Sequence, residues 1–473
     1  MKSIVWFRRD LRMHDQPAWA AAWAECNEVI PLFIFDEPLL QSKQFGSACV
    51  NFMLSALDDL ARSLAAMGLS LQWRRGEPVE ELTRAARELR IDAVYWNRDY
   101  EPAARVRDEA VTHSLLRQGI QVRTFKDHVV FETGEITSAT GDPLQRYSAY
   151  RARWWKQWHA SPQLVIPQPA KPNNTMLVGA EQSIELPSAT DLGYEHVTPI
   201  MLGGETAARR RLRWFLSGPI QDYADGRNRP AADGTSMLSP HFRFGTVSTR
   251  SAVHAALAAL ARHGLAWRTG VQTWVDELIW RDFFLHILAA FPQVATRPFR
   301  STTVPPYRTD VQLFDAWRQG RTGFPLVDAG MRQLNQDGWM HNRVRMVAAS
   351  FLVKDLQLDW RTGERYFMEH LLDADLAANN GNWQWCASTG TDAMPGYRIF
   401  NPALQAKKFD PDGDYIRRYV PELASLPVKL IHQPDLMTVE EQARYACQSG
   451  REYPRPIVDH NKARMRYLKQ VKA

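Results

Sequence analysis

Cysteine is scarce in this chain, and Cys26, Cys49, Cys386 and Cys447 stand too far apart to form any CxxC pair. That spacing argues against both a clustered-thiolate zinc site and a disulfide framework, so reduced thiols and no metal are expected. No apolar run approaches the ~20 residues needed to cross a bilayer, which excludes an integral membrane helix. The opening MKSIVWFRRD lacks the basic, apolar and small-residue order of a signal peptide, and a cytoplasmic location is expected from that. Neither GxGxxG nor GxxxxGKS/T follows any strand-like run, so neither the dinucleotide fingerprint nor the phosphate loop is available to hold a nucleotide.

Tryptophan is abundant. There are 17, concentrated in the second half and in RARWWKQW, where they serve either as aromatic core or as stacking surfaces for a planar ligand. Lysine plus arginine exceeds aspartate plus glutamate by 58 − 52 = 6, a surplus suited to an anionic partner. At 473 residues the chain is too long for one core, and domains of roughly 100–200 residues predict two or three.

The texture of the chain changes once. Up to about Phe131, the β-branched and aromatic runs IVWF, VIPLFIFD, LSLQWRRG, AVYWN and QVRTF alternate with amphipathic stretches such as VEELTRAARELR. This alternation predicts a parallel α/β sheet over residues 1–131. From 132 to 204 a connection ends in the aperiodic, proline-rich SPQLVIPQPAKPNNTMLVG, read as a linker. Residues 205–473 carry helical periodicity almost throughout and predict an α-helical domain.

Four segments concentrate chemistry. In DADLAANNGNWQW, Asp375 reads as a helix-start acid with Asp373 just before it, and Asn379 and Trp383 share a face at i,i+4. An N-capped core helix is the plain alternative. In WVDELIWRDFFLHIL, Glu277 shares a face with Trp274, Trp280 and Arg281, either as a partly buried carboxylate or as an exposed Glu277–Arg281 pair. GWMHNRVRM places Asn342, Arg345 and Met346 on one stripe. GTSMLSP gathers Thr235, Ser236 and Ser239 before a helix, suited to capping or to holding phosphate oxygens.

Together, WFRRDLRMHD, GTSMLSP, ELIWRDF, GWMHNRVRM, DWRTGERYFM and DLAANNGNWQW closely resemble the photolyase/cryptochrome family, specifically bacterial class I photolyases that repair cyclobutane pyrimidine dimers. The resemblance spans nearly the whole chain. It implies a Rossmann-like antenna-binding domain followed by an all-α domain holding FAD, active in its reduced form, and a monomer acting on UV-damaged DNA with little regard to sequence. By residue match, the FAD pocket would be Tyr223, Thr235, Ser236, Met237, Leu238, Ser239, Trp274, Glu277, Arg281, Asn342, Arg345, Asp373, Ala374, Asp375 and Asn379. Asn379 matches the residue facing the flavin N5, and the two aspartates would counter Arg345.

Trp383 and Trp360 match the first and second electron donors to photo-excited flavin. Glu277 would hydrogen bond the pyrimidine carbonyls, with Trp280 and Met346 as the lesion wall. Arg227, Arg281, Asn342, Arg343, Arg345, Trp385, Lys407 and Lys408 would complete the DNA-binding surface. Within the family, a (6-4) photolyase would carry His-His where this chain has His341-Asn342. A signalling cryptochrome often has a longer tail than the one after NPALQAKKFD.

Two departures from the family pattern stand out. Ala103 and Ala104 replace an Asn-Glu pair, and FPQVATRPF lacks the lysine of folate-type enzymes, whereas Arg243 in HFRFG stands where deazaflavin types have lysine. A deazaflavin or another flavin is therefore expected as antenna in preference to methenyltetrahydrofolate, or an empty site. The other departure is Tyr307, at the position of the usual surface tryptophan that ends the electron chain; Trp317 is the alternative terminus.

Overall fold

The computed structural model describes residues 1–42, 44–167, 185–300 and 305–472. The middle of the proline-rich connection, 168–184, lies outside the described residues. The chain forms two compact units, one of Met1–Gln221, Ser236–Pro292 and Leu372–Ala377, the other of Asp222–Thr235, Gln293–Leu371 and Ala378–Ala473.

The first unit is built on the expected sheet. Strands β1 (Lys2–Phe7), β2 (Glu28–Asp36), β3 (Gln72–Gly76), β4 (Ala93–Asn97) and β5 (Gln121–Phe125) lie in the order β3-β2-β1-β4-β5. Every pairing is parallel, with Ile4 opposite Ile30 and Val94. β1 and β4 are buried on almost every residue, as strands with helices on both faces must be. That is why IVWF and the AVYW of AVYWN read as continuous apolar runs without alternation. Ile4, Trp6, Ile30, Leu32, Val94 and Trp96 form the core on one face.

Strand order reverses between β1 and β4, and at such a switch point the carboxyl ends of the strands open a crevice. Charged residues gather there. Arg8, just past β1, binds Asp108 at 2.6 Å and donates to the Asn97 carbonyl at the end of β4.

The second unit is helical in its described residues. GMRQLNQDGWMHNRVRMVAASFLVKDL, within the stretch of helical periodicity, folds as three successive elements. Pro325–Asp337 stops at Gly338, whose φ of 63° ends the helix in the left-handed region, and Asn342–Ser350 then runs into a π-helical turn at Phe351–Asp355. The turn buries Lys354 and Asp355. The Lys354 ammonium donates to the Arg398 carbonyl at 2.8 Å, and Asp355 meets the His460 ring at 2.5 Å. Among the described residues, no helix is long and apolar enough to cross a membrane.

Candidate flavin and DNA site

The helix Arg268–Ala290 presents Trp274, Glu277, Trp280 and Arg281 from the first unit. Trp274 is buried with its ring 5.3 Å from Phe215. Glu277 is half-buried, as expected for a carboxylate flanked by indoles. Arg281 is committed to His128, donating to its carbonyl at 2.6 Å and lying 2.9 Å from its Nε2. Burial keeps His128 well below the usual histidine pKa, and the nearby Arg281 and Arg9 push the same way.

Trp280 has a neighbour that sequence reasoning missed. Tyr147 stacks on it at 3.5 Å between ring centres and 8° between planes, so one indole face is already covered. The Tyr147 hydroxyl donates to the Asp276 carbonyl at 2.8 Å. No spacing in RYSAYRARWWKQW announces this contact between residues over a hundred positions apart.

Asp373 and Asp375 are both buried. Asp375 immediately precedes the helix Leu376–Ala387, as its reading as a helix-start acid required. Its carboxylate lies 2.6 Å from Arg9, a partner the sequence reading did not name. Arg9 also contacts Glu101, with Asp99 at 3.5 Å. Burial opposes the Arg9 charge, but Glu101, Asp99 and Asp375 outweigh it and raise its pKa. Arg243 donates to the Ala374 carbonyl, fixing the backbone between the two aspartates.

Thr235 closes one segment of the second unit, and Ser236 opens the neighbouring segment of the first. Met237 has a φ of 49°, in the left-handed region, followed by Leu238 at φ −95°, ψ 0°. Successive residues of opposite hand turn their N–H groups to one side, a concavity that binds anions. The N–H groups of Met237, Leu238 and Ser239 donate to no described residue. This cradle fits a phosphate group, and of the two readings of GTSMLSP it supports anion binding.

In the second unit, the Arg227 guanidinium lies 5.8 Å from the ring centre of buried Tyr223. Arg343 donates to Asn228 Oδ1 at 2.6 Å and stands 4.5 Å over Phe409, which Lys408 also approaches at 5.3 Å. Lys407 is exposed and donates to Gln433 at 3.0 Å. Asn342 is exposed at the start of its helix, Met346 lies 3.7 Å from Arg343, and Arg345 donates to the Met340 carbonyl at 2.7 Å. His341, the cap of this helix, is held down to about 3 by burial and by Arg343, Arg345 and Arg227. Three guanidiniums close enough to act on one imidazole make this a concentrated positive field.

Asn379 projects from Leu376–Ala387 and donates its Nδ2 to Glu364, at 2.9 Å to the carbonyl and 3.3 Å to the carboxyl. The amide is thereby oriented with its oxygen directed away from Glu364. Burial raises the Glu364 carboxyl to about 7, against the Asn379 hydrogen bond that lowers it. Glu364 is a third residue that sequence reasoning missed, although its signal was present in the GER of DWRTGERYFM, four residues beyond Trp360.

Trp383 and Trp360 are both buried. Trp383 lies 5.0 Å from Phe367 and 6.2 Å from Trp317, and its ring crosses directly over Gly363. Trp385 is half-buried. Tyr307 is half-buried and directly precedes Arg308, whose N–H donates to the Gln357 carbonyl at 2.8 Å. Its phenol pKa is raised by burial, then by Asp359 and Tyr467. Trp317 is fully buried with its N–H on the Ala348 carbonyl, so it offers no surface terminus for an electron chain.

A cavity of about 1110 Å³ also opens in the first unit, lined among others by Trp96, Arg98, Tyr100, Arg105 and His286. The His286 Nε2 is buried without a hydrogen-bond partner.

Residues 274–473 match the FAD binding domain of DNA photolyase, and residues 3–172 match DNA photolyase. Deoxyribodipyrimidine photo-lyase of Synechococcus sp. is 42% identical over 97% of this chain and 94% of its own. A class III photolyase from Agrobacterium tumefaciens superposes with a TM-score of 0.90 at 36% identity, over 100% of this chain and 98% of its own. A cryptochrome of Synechocystis sp. gives 0.90 at 28%, over 99% and 98%. An archaeal photolyase from Sulfolobus tokodaii, solved with two FAD molecules, gives 0.80 at 31%, over 100% of both chains. The chain belongs to the DNA photolyase family.

Proposed function

We propose that this protein is a light-dependent lyase that splits cyclobutane pyrimidine dimers in DNA. The observation that carries the reading is the 42% identity, over almost the whole of both chains, to a deoxyribodipyrimidine photo-lyase. Tyr223, Thr235, Ser236, Met237, Leu238, Ser239, Trp274, Asn342, Arg345, Asp373, Asp375 and Asn379 would hold FAD, whose diphosphate suits the turn at Met237. When bound and reduced, FAD supplies a light-driven one-electron donor.

The chain's own residues do the rest. Glu277 donates a hydrogen bond to the lesion carbonyls where charge develops, which requires its protonated form. Trp280, through the face that Tyr147 leaves open, and Met346 wall the flipped-out lesion, whose weakened pairing lowers the cost of extrusion. Arg227, Arg343 and Lys408 contact phosphates, positioning the duplex without reading its sequence. Trp383, Trp360 and Tyr307 carry electrons inward when the cofactor is oxidised. The protein acts as a monomer in the cytoplasm.

The second chromophore is of flavin type. Ala103 and Ala104 offer no polar side chain to a folate, and the cavity lined by His286 supports room for a further planar ligand in the first unit. Reconstitution with deazaflavin, a flavin and methenyltetrahydrofolate in turn tests this, and tight folate binding refutes it. The activity itself is tested by loss of defined thymine dimers under blue light against a dark control. No loss would turn the reading to the photoreceptors, whose fold is the same, and loss of (6-4) products alone to the other repair class.

A further inference from the structure

We infer that Arg211 is a positioning residue for the FAD diphosphate, acting through the backbone of the turn that binds it; this rests on the reading above that Ser236–Ser239 forms part of the cofactor site. Arg211 lies on the helix Glu205–Leu216, within the first unit. Its guanidinium stacks on Trp214 at 3.8 Å, and its Nε donates to the Ser236 carbonyl at 2.9 Å. The peptide that follows is planar and trans, so its C=O and N–H point in opposite directions. Anchoring the Ser236 oxygen to Arg211 therefore aims the Met237 N–H away from that helix, as the first of three successive donors with no described partner.

The anchor has a second effect. Met237 is held at a φ of 49°, where a residue with a Cβ is strained, and rotation of the preceding peptide is the simplest relief. That rotation would carry the N–H out of the cradle. Arg211 opposes it by binding the carbonyl, and the Trp214 stack holds the guanidinium in place. The role needs a donor at one point in space, rather than a charge.

Glutamine and methionine separate the two. Glutamine carries Nε2 at the same number of bonds from the backbone as the arginine Nε, so R211Q keeps the donor and loses the charge. R211M keeps the length and loses both. FAD is removed, and its dissociation constant for each apoprotein is measured by flavin fluorescence, alongside the apoprotein melting temperature. R211M is expected to bind FAD about 10-fold more weakly, the scale of one well-placed hydrogen bond, and R211Q within about threefold of wild type, with all three apoproteins melting together.

Equal weakening in R211Q and R211M would assign the effect to charge and overturn the proposal, as would unchanged affinity in both. Weakening matched by a lower apoprotein melting temperature would reduce Arg211 to a structural residue and overturn it too. A wild-type apoprotein that takes up no FAD would overturn the cofactor reading on which the inference rests.

Discussion

Replacing Glu364 with glutamine should make the protein more stable at alkaline pH. Burial raises this carboxyl from 4.5 to about 7, so between those values the folded protein holds a proton that the unfolded chain has released. Stability from this group is therefore full below about pH 4.5 and is lost as pH rises through about 7. At ~1.4 kcal/mol per pH unit, the difference between 4.5 and about 7 sets a ceiling near 3 kcal/mol. Glu364 is only half-buried, and solvent screening reduces that to about 2 kcal/mol.

Glutamine has the same shape, never ionises, and keeps an oxygen for the Asn379 amide. At pH 8 the variant should exceed wild type by about 2 kcal/mol, or ~4–8 °C in Tm for a unit of this size, with the gap closing by about pH 5. The assay is thermal unfolding of both proteins across that range, where every other titrating group cancels in the difference. Parallel Tm profiles would refute the argument. A protonated-carboxyl infrared band, lost in Glu364→Gln and titrating near neutrality in wild type, would support it independently.

Three further outcomes follow from the geometry. In Gly363→Ala the new Cβ would stand 2.3 Å from the Trp383 ring, so about 1–3 kcal/mol of stability should be lost and photoreduction of oxidised flavin should slow, whereas unchanged kinetics and Tm would show that Trp383 yields freely. Arg227→Ala should weaken binding to damaged and undamaged duplex alike and reduce the salt slope by about 1, and a loss confined to damaged DNA would show a lesion contact instead. Tyr307→Phe should slow photoreduction while leaving pre-reduced enzyme able to split dimers, because repair does not draw on that chain; a persistent tryptophanyl signal in both proteins, with equal photoreduction, would remove Tyr307 from it.

What could be read before folding depended on how local each signal was. The sheet was legible because strands buried on both faces are apolar at nearly every position, as IVWF and the AVYW of AVYWN show within four residues each. The helical periodicity after Glu205 was legible for the same reason, although the break at Gly338 was not, since nothing in the apolar pattern fixes the left-handed turn that ends the helix there. Partners across the chain were harder. Arg9 reaches Asp375 over 366 positions and Tyr147 reaches Trp280 over 133, and no period connects such pairs.

The charge on Asp375 shows what this costs a reading from motifs alone. A buried aspartate needs a cation, and the family resemblance implied Arg345, from the separate motif GWMHNRVRM, for that part. Arg9 stands in WFRRDLRMHD, a different motif at the other end of the chain, and meets Asp375 because the strand before it delivers its side chain to the switch point of the sheet. Two segments that resemble one family separately are thus joined by a buried ion pair. Removing Arg9 would take one cation from the carboxylates of Asp375, Glu101 and Asp99 at once, so the amino-terminal motif supports a candidate cofactor-binding segment more than three hundred residues away.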